Sequence, residues 1–214
     1  MNSIDTDAEA APAGRERHES RGRARVVTWR RLVAYAFAAA TMLLVWVDRE
    51  SRPGWIDPWG LWAGAALAVV GEALRVWGCG HLRKNQDVIT SGPYAHVRNP
   101  LYLGTLLILV GMCVAAGTRI VVYGLLPLGL VGFFAYYTPK KERIESDRLR
   151  RRFGAKFDVY HDAVPGYLPR LTRWSGASNE PWSGPLVVEN TEIPTVLFVA
   201  VGLAVVFAAR FCGA

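Results

Sequence analysis

The sequence is poor in the residues that build metal sites and disulfide frameworks. It has three cysteines, Cys79, Cys113 and Cys212, and four histidines, His18, His81, His96 and His161. The cysteines form no CxxC pair, the histidines show no metal-ligand spacing, and HExxH is missing, so neither a disulfide scaffold nor a zinc site follows. Cys113 and Cys212 lie in apolar runs, where a thiol acts as a small hydrophobe. Neither GxGxxG nor a Walker pattern occurs, which argues against a soluble-type nucleotide domain. The N-terminus lacks the apolar stretch of a cleavable signal. Residues 1–31 start with acids, continue to Arg15, Arg17, Arg21, Arg23 and Arg25, and read as a disordered basic tail. No internal repeat is evident.

Charge and apolarity are instead segregated. The chain is 51% hydrophobic yet carries a net charge of +7, with long apolar runs between charged blocks, the pattern of a membrane protein. Five runs stand out: Leu32–Val47, Trp59–Trp77, Leu101–Ala116, Ile120–Tyr137 with Pro127 inside it, and Ile193–Ala209. Most are somewhat shorter than the ~20 residues of an untilted span, a difference that flanking Trp, Tyr and Arg can make up. Leu101–Ala116 and Val196–Ala209 contain no charge, whereas helices of soluble proteins usually keep a polar stripe. The predicted fold is therefore all-α, a polytopic membrane bundle of about five spans with a cytoplasmic amphipathic helix.

Lys/Arg counting orients it. The tail is inside and Asp48–Pro58 outside. Gly78–Pro100 is inside, Gly117–Arg119 is an external turn, and Thr138–Glu192, with ten Lys and Arg residues, is inside. The implied organisation is the tail at 1–31, a helix pair at 32–77, a core at 78–170, a linker at 171–192 and a last span at 193–214. The basic blocks lie beside apolar spans, so anionic lipid is a simpler partner for them than nucleic acid.

Two cytoplasmic segments then face each other. In Lys84–Gly104, Ser91-Gly92-Pro93 signals a turn. Pro100 suits the first turn of a helix and Asn99 its N-cap, which puts a positive helix end beside Arg98, a place for a carboxylate or another anion. In the second segment Pro139 suits a helix start. Leu149, Phe153, Phe157, Tyr160 and Val164 follow at helical spacing on one face. Glu145 heads that inward stripe, where an unpaired charge is costly, and should have a cationic partner, with Arg98, Lys141 or Arg75 as candidates. Glu72 and Arg75 can pair on one face of the second run. His96 could titrate usefully. Each of these has a structural reading as well: capped helices, an interfacial arginine, a basic amphipathic helix on the inner leaflet, an ion pair.

Thr90-Ser91-Gly92-Pro93-Tyr94 through Arg98-Asn99-Pro100-Leu101-Tyr102-Leu103-Gly104, followed by Glu145, Leu149, Phe153-Gly154, Phe157, Tyr160 and Val164-Pro165, resembles the isoprenylcysteine carboxyl methyltransferase and phospholipid methyltransferase family over roughly Leu74–Pro169. The resemblance implies S-adenosyl-L-methionine as methyl donor in a cytoplasm-facing pocket. By position, the cofactor would be held by Gln86, Asp87, Val88, Ile89, Tyr94, Asn99, Pro100, Leu101 and Tyr102. Lys141 and Glu145 would be substrate-side charges, and Arg98 could orient an anionic acceptor. The chain departs from the family pattern twice: Asn99 stands where a histidine is usual, and Ser146 where a second glutamate is usual. The resemblance does not require the fifth helix.

The implied function is methylation of a lipophilic or lipidated acceptor reached from the inner leaflet, at a carboxylate or an amine. A carboxylate is already ionised. An amine must lose a proton, with Glu145 or His96 as base. A non-catalytic membrane scaffold or lipid-binding protein is the alternative that the two departures raise. A nicotinamide-dependent membrane reductase lacks any dinucleotide fingerprint. The oligomeric state is not written in the sequence.

Overall fold

A computed structural model describes residues 42–48, 51, 59–83 and 87–211, and of residues 136–138 and 141 the backbone alone. The tail, Gln86, Cys212 and most of the first apolar run lie outside the described residues; residues 42–47 are helical. The described residues form helices joined by loops, without strands. In chain order the helices are α1 (Gly60–Cys79), α2 (Pro100–Ala116), α3 (Leu126–Val131), α4 (Thr138–Phe153), α5 (Ala155–Ala163), α6 (Gly184–Glu189) and α7 (Ile193–Phe211).

Helices α1 and α7, of 20 and 19 residues, are long and apolar enough to cross a bilayer, while Pro100–Ala116 and Val121–Ala135 are apolar but shorter. The structure thus supplies two helices of spanning length among the five predicted spans. Large apolar side chains project outward from both: Trp62, Val69, Val70 and Trp77 on α1, and Leu197, Phe198, Val201 and Phe211 on α7. Apolar surface so extensive marks contact with lipid or protein rather than water.

The frame of the molecule is the close antiparallel pair α1–α2. Hydrocarbon gives helices no hydrophobic reason to associate, so small residues that let backbones touch take over. A Cβ on Gly64 would lie 2.5 Å from the carbonyl oxygen of Gly111, and one on Gly71 would lie 2.7 Å from that of Gly104. The two glycine pairs thus bring the helices together where no side chain fits. Leu61, Cys113, Ala115, Ala116, Val121 and Val206 complete the packing and draw in α7.

Gly117 ends α2 in the left-handed conformation (φ 64°), its N–H returning to the carbonyl of Cys113. After Thr118 the chain turns directly into the next helix. That helix differs from the prediction. It passes through two π-helical segments, Val121–Leu125 and Gly132–Tyr137, and runs without interruption into α4. Pro139 therefore does not start a separate helix. It occupies the first turn of α4, and π turns, which widen the backbone, carry the chain around Pro127 and into α4.

The predicted amphipathic stripe is also interrupted. Gly154 (φ 52°, ψ −132°) breaks it into α4 and α5. The stripe still does one job: Leu149 and Phe153 from α4 pack with Phe157, Tyr160 and Val164 against Val88 of the preceding loop.

Candidate active site

The two motif-bearing segments meet through the backbone. The N–H of Arg98 donates to Pro165 (2.9 Å) and that of Asn99 to Gly166 (3.2 Å). The N–H groups of Arg170 and Trp174 donate to His96 and Ala95, each at 3.0 Å. Side chains reinforce the seam. Tyr160 Oη donates to the carbonyl of Tyr94 (2.9 Å), and Arg98 Nη1 donates to that of His161 (2.8 Å). Asn99 precedes α2 as predicted, but its side chain does not cap the helix. Its Nδ2 donates to Gly166 (3.1 Å) instead, so the residue joins two segments.

A cleft of about 220 Å³ opens between these segments. One wall is Asp87, Val88, Ile89 and Tyr94; the other is Leu149, Phe157 and Tyr160; Arg98, Asn99, Glu142 and Glu145 lie at its edge. Of the nine positions assigned to the cofactor from sequence, Asp87, Val88, Ile89, Tyr94 and Asn99 line it, and Gln86 is outside the described residues. Pro100, Leu101 and Tyr102 do not line it. Pro100 is buried at the start of α2, the carbonyl of Leu101 is taken by Arg75 and Thr105, and Tyr102 reaches across to α4. Of Lys141 the backbone lies in α4.

Charge pairing in the cleft differs from the prediction. Arg98 pairs with Glu142, Nη2 to Oε1 at 2.9 Å, both side chains being largely buried. Glu145 is exposed, and its Oε2 accepts the Tyr102 hydroxyl at 2.9 Å, while Arg98, one of the cations predicted for it, is held by Glu142. An exposed carboxylate keeps its hydration, so it does not need the ion pair that a buried one would. Glu142 was not singled out in the sequence. The signal for it was present, because Glu142 and Glu145 are spaced to share one face of α4.

Burial sets the protonation of the aromatic walls: it pushes the Tyr94 and Tyr160 hydroxyls well above the usual phenol range. At the other end of the cleft, Lys156 Nζ donates to both oxygens of Asp87, at 2.7 and 2.5 Å. That hydrogen bond holds the Asp87 carboxyl below the usual carboxylate range. Asp87, Val88 and Ile89 also line a second, more polar cavity with His81, Ser91 and Ser178. Burial, with Arg83 nearby, holds His81 below the ordinary histidine range. His96 lies outside both cavities; its Nδ1 is 3.0 Å from the carbonyl of Arg170. Among the described residues, no three His, Cys, Asp or Glu side chains are grouped to hold a metal ion.

Described residues that form helices without strands, two of those helices long and apolar enough to span a bilayer, and a cleft between a Gly-Pro-Tyr loop and an amphipathic helix fit a membrane protein better than a soluble nucleotide fold. Residues 59–156 match the phospholipid methyltransferase family model. The chain is 32% identical over 161 residues to the cobalt-zinc-cadmium resistance protein CzcN of Cupriavidus metallidurans, covering 73% of this chain and 68% of that one. It is 29% identical over 161 residues to the nickel-cobalt-cadmium resistance protein NccN of Alcaligenes xylosoxydans xylosoxydans, covering 71% and 70%. No solved structure matches it. The chain belongs to the phospholipid methyltransferase family, part of the isoprenylcysteine and phospholipid group of membrane methyltransferases.

Proposed function

We propose that this protein is an S-adenosyl-L-methionine-dependent methyltransferase whose acceptor is lipophilic and enters from the cytoplasmic leaflet. The observation that carries the reading is the cleft itself, which joins an apolar and aromatic slot to an edge bearing both carboxylates and a guanidinium. The donor set fits the cofactor. Val88, Ile89, Leu149, Phe157 and Tyr160 offer a slot for a planar base, Asp87 a carboxylate for hydroxyls, and Arg98 and Asn99 donors for a carboxylate. The cofactor supplies a methyl group on a sulfonium, an already activated donor. What remains for the protein is to align the acceptor and exclude water.

Tyr94, Phe157 and Tyr160 supply the water-excluding wall. The Arg98–Glu142 pair fixes the cleft edge, leaving Arg98 able to orient an anionic group. Glu145, held by Tyr102, is the base available to an amine acceptor. His96 is less well placed, since it does not line the cleft. The N-terminus and the segments around the cleft are placed on the cytoplasmic side by their Lys and Arg content, with five helices crossing the bilayer.

Isothermal calorimetry of the purified protein in detergent tests cofactor binding, and a folded protein that takes up no S-adenosyl-L-methionine refutes the proposal. Lipid extracts of cells fed a labelled methyl donor, compared with and without the protein, then identify the acceptor. The names of the two relatives make growth under cobalt, zinc and cadmium stress a sensible physiological readout for the same pair of strains.

A further inference from the structure

Away from the cleft, α1 carries a charge arrangement that methyl transfer does not use. Arg75 is not paired with Glu72, as their spacing predicted. Its Nε and Nη2 donate to the two oxygens of Glu192, at 2.6 and 2.8 Å, and its Nη1 donates to Thr105 Oγ1 (2.6 Å) and the carbonyl of Leu101 (3.2 Å). Cys79 Sγ lies 3.4 Å from Glu192 Oε2. Arg75 and Glu192 thus satisfy each other, in the bidentate geometry that suits a guanidinium and a carboxylate.

Glu72 is left over. It is 9% exposed, and both its oxygens are buried without meeting a donor. Yet its carboxyl lies within hydrogen-bonding reach of the Glu192 carboxyl. Two carboxyl groups in such contact have no donor between them unless one carries a proton, and two like charges sharing a desolvated site with one cation do not both stay ionised. The charged groups close enough to act on Glu72 are Arg75 on α1 and Glu192 before α7, and Arg75 is already taken by Glu192.

We infer that Glu72 and Glu192 form a buried proton-binding site, the shared proton completing a neutral network with Arg75 that fastens the start of α7 to α1. The proton is a property of the pair, drawn on Glu72 because both oxygens of Glu192 already accept from Arg75. Its removal would leave two buried anions against one guanidinium and work the α1–α7 contact loose. The site is independent of the methyl-transfer reading.

The test uses the full chain in detergent. Infrared spectra of the wild type at neutral pH should contain the carbonyl stretch of an un-ionised carboxylic acid, absent from both E72Q and E192Q. In E192Q, Arg75 is free to pair with an ionised Glu72. The wild-type melting temperature should fall as pH rises above the ordinary carboxyl range, because native protein holds a proton that the unfolded chain releases. That of E72Q, whose amide can donate to Glu192 at any pH, should stay level. A wild type lacking the band, or a band that survives in E72Q, overturns the inference. So do parallel melting curves for wild type and E72Q across pH. If E72Q does not fold, the band in the wild type and its absence from E192Q decide the matter.

Discussion

Glu145 and Glu142 share a face of α4 but have different partners, and the difference assigns them different tasks. Glu142 neutralises Arg98 at 2.9 Å, so Glu142→Gln should weaken cofactor or acceptor binding by leaving the guanidinium unpaired. Glu145 accepts the Tyr102 hydroxyl at the cleft edge and is the carboxylate there that Arg98 does not hold. If the acceptor is an amine, Glu145→Gln should lower the methylation rate by about 10²–10⁴-fold, the usual contribution of a general base, with calorimetric cofactor affinity preserved. If it is a carboxylate, the rate should change little. Turnover of the labelled acceptor and calorimetry on one variant thus separate the two chemistries. A third residue reports on the fold. His81 has its ring Nδ1 3.1 Å from Ser91 Oγ, and burial favours its neutral form. A base whose folded pKa is depressed contributes stability that is present above the unfolded value of 6.5 and lost as pH falls below it. Acidification through that window should lower the melting temperature of the wild type, and His81→Gln should flatten the profile.

Among elements, the α1–α2 pair is set by glycines, and its prediction follows from contact distance. Gly71→Leu would put a side chain where the Gly104 carbonyl lies 2.7 Å from the first carbon. The helices must part, at a cost on the order of 1–3 kcal/mol for overpacking, read as a lower melting temperature in detergent. Gly154 tests a different mechanism. A Cβ there meets nothing within 4 Å, so Gly154→Ala acts through the backbone alone, since φ 52° with ψ −132° is a region glycine tolerates. About 1–3 kcal/mol of strain is expected, with methylation falling as Phe157 and Tyr160 lose register with Leu149.

Much of this was legible in the sequence. Apolar runs marked helices to within a residue or two, as Leu101–Ala116 became Pro100–Ala116 and Ile193–Ala209 became Ile193–Phe211, because hydropathy is a local property. The cluster of Leu149, Phe157, Tyr160 and Val164 was legible from spacing. What escaped depends on distant partners or on backbone detail. The salt bridge of Arg75 goes to Glu192 and not to Glu72, and no periodicity reports a contact between such distant residues. The side chain of Asn99 went to Gly166 rather than to its own helix. The π segments and the Gly154 break leave no mark in side-chain pattern.

At the scale of the whole molecule, α7 is not an appendage to the family core. Besides the Arg75–Glu192 pair, Asn190 Nδ2 donates to the carbonyls of Cys79 (3.1 Å) and Leu82 (2.8 Å), and the N–H of Ser183 donates to Gly80 (2.9 Å). Trp62 on α1 meets Phe207 edge to face. A chain truncated before Glu192 should therefore lose more than a helix. The truncation removes the bidentate carboxylate partner of Arg75, leaving Glu72 as the carboxylate on α1 that can pair with it, and it uncovers the α1 face that Phe207 packs against; the melting temperature in detergent should fall and resistance to protease should drop.

The same salt bridge has a consequence for how the protein is made. Arg75 and its carboxylate partner are 117 residues apart, and at roughly 5–20 residues per second a ribosome takes on the order of ten seconds to span that distance. During that interval the α1–α2 hairpin can already close, with Glu72, three residues earlier, as the carboxylate within reach of its arginine. The newborn chain therefore exchanges one partner of Arg75 for another when α7 emerges, which makes that late helix the checkpoint at which quality-control proteases would tell a finished molecule from an abandoned one.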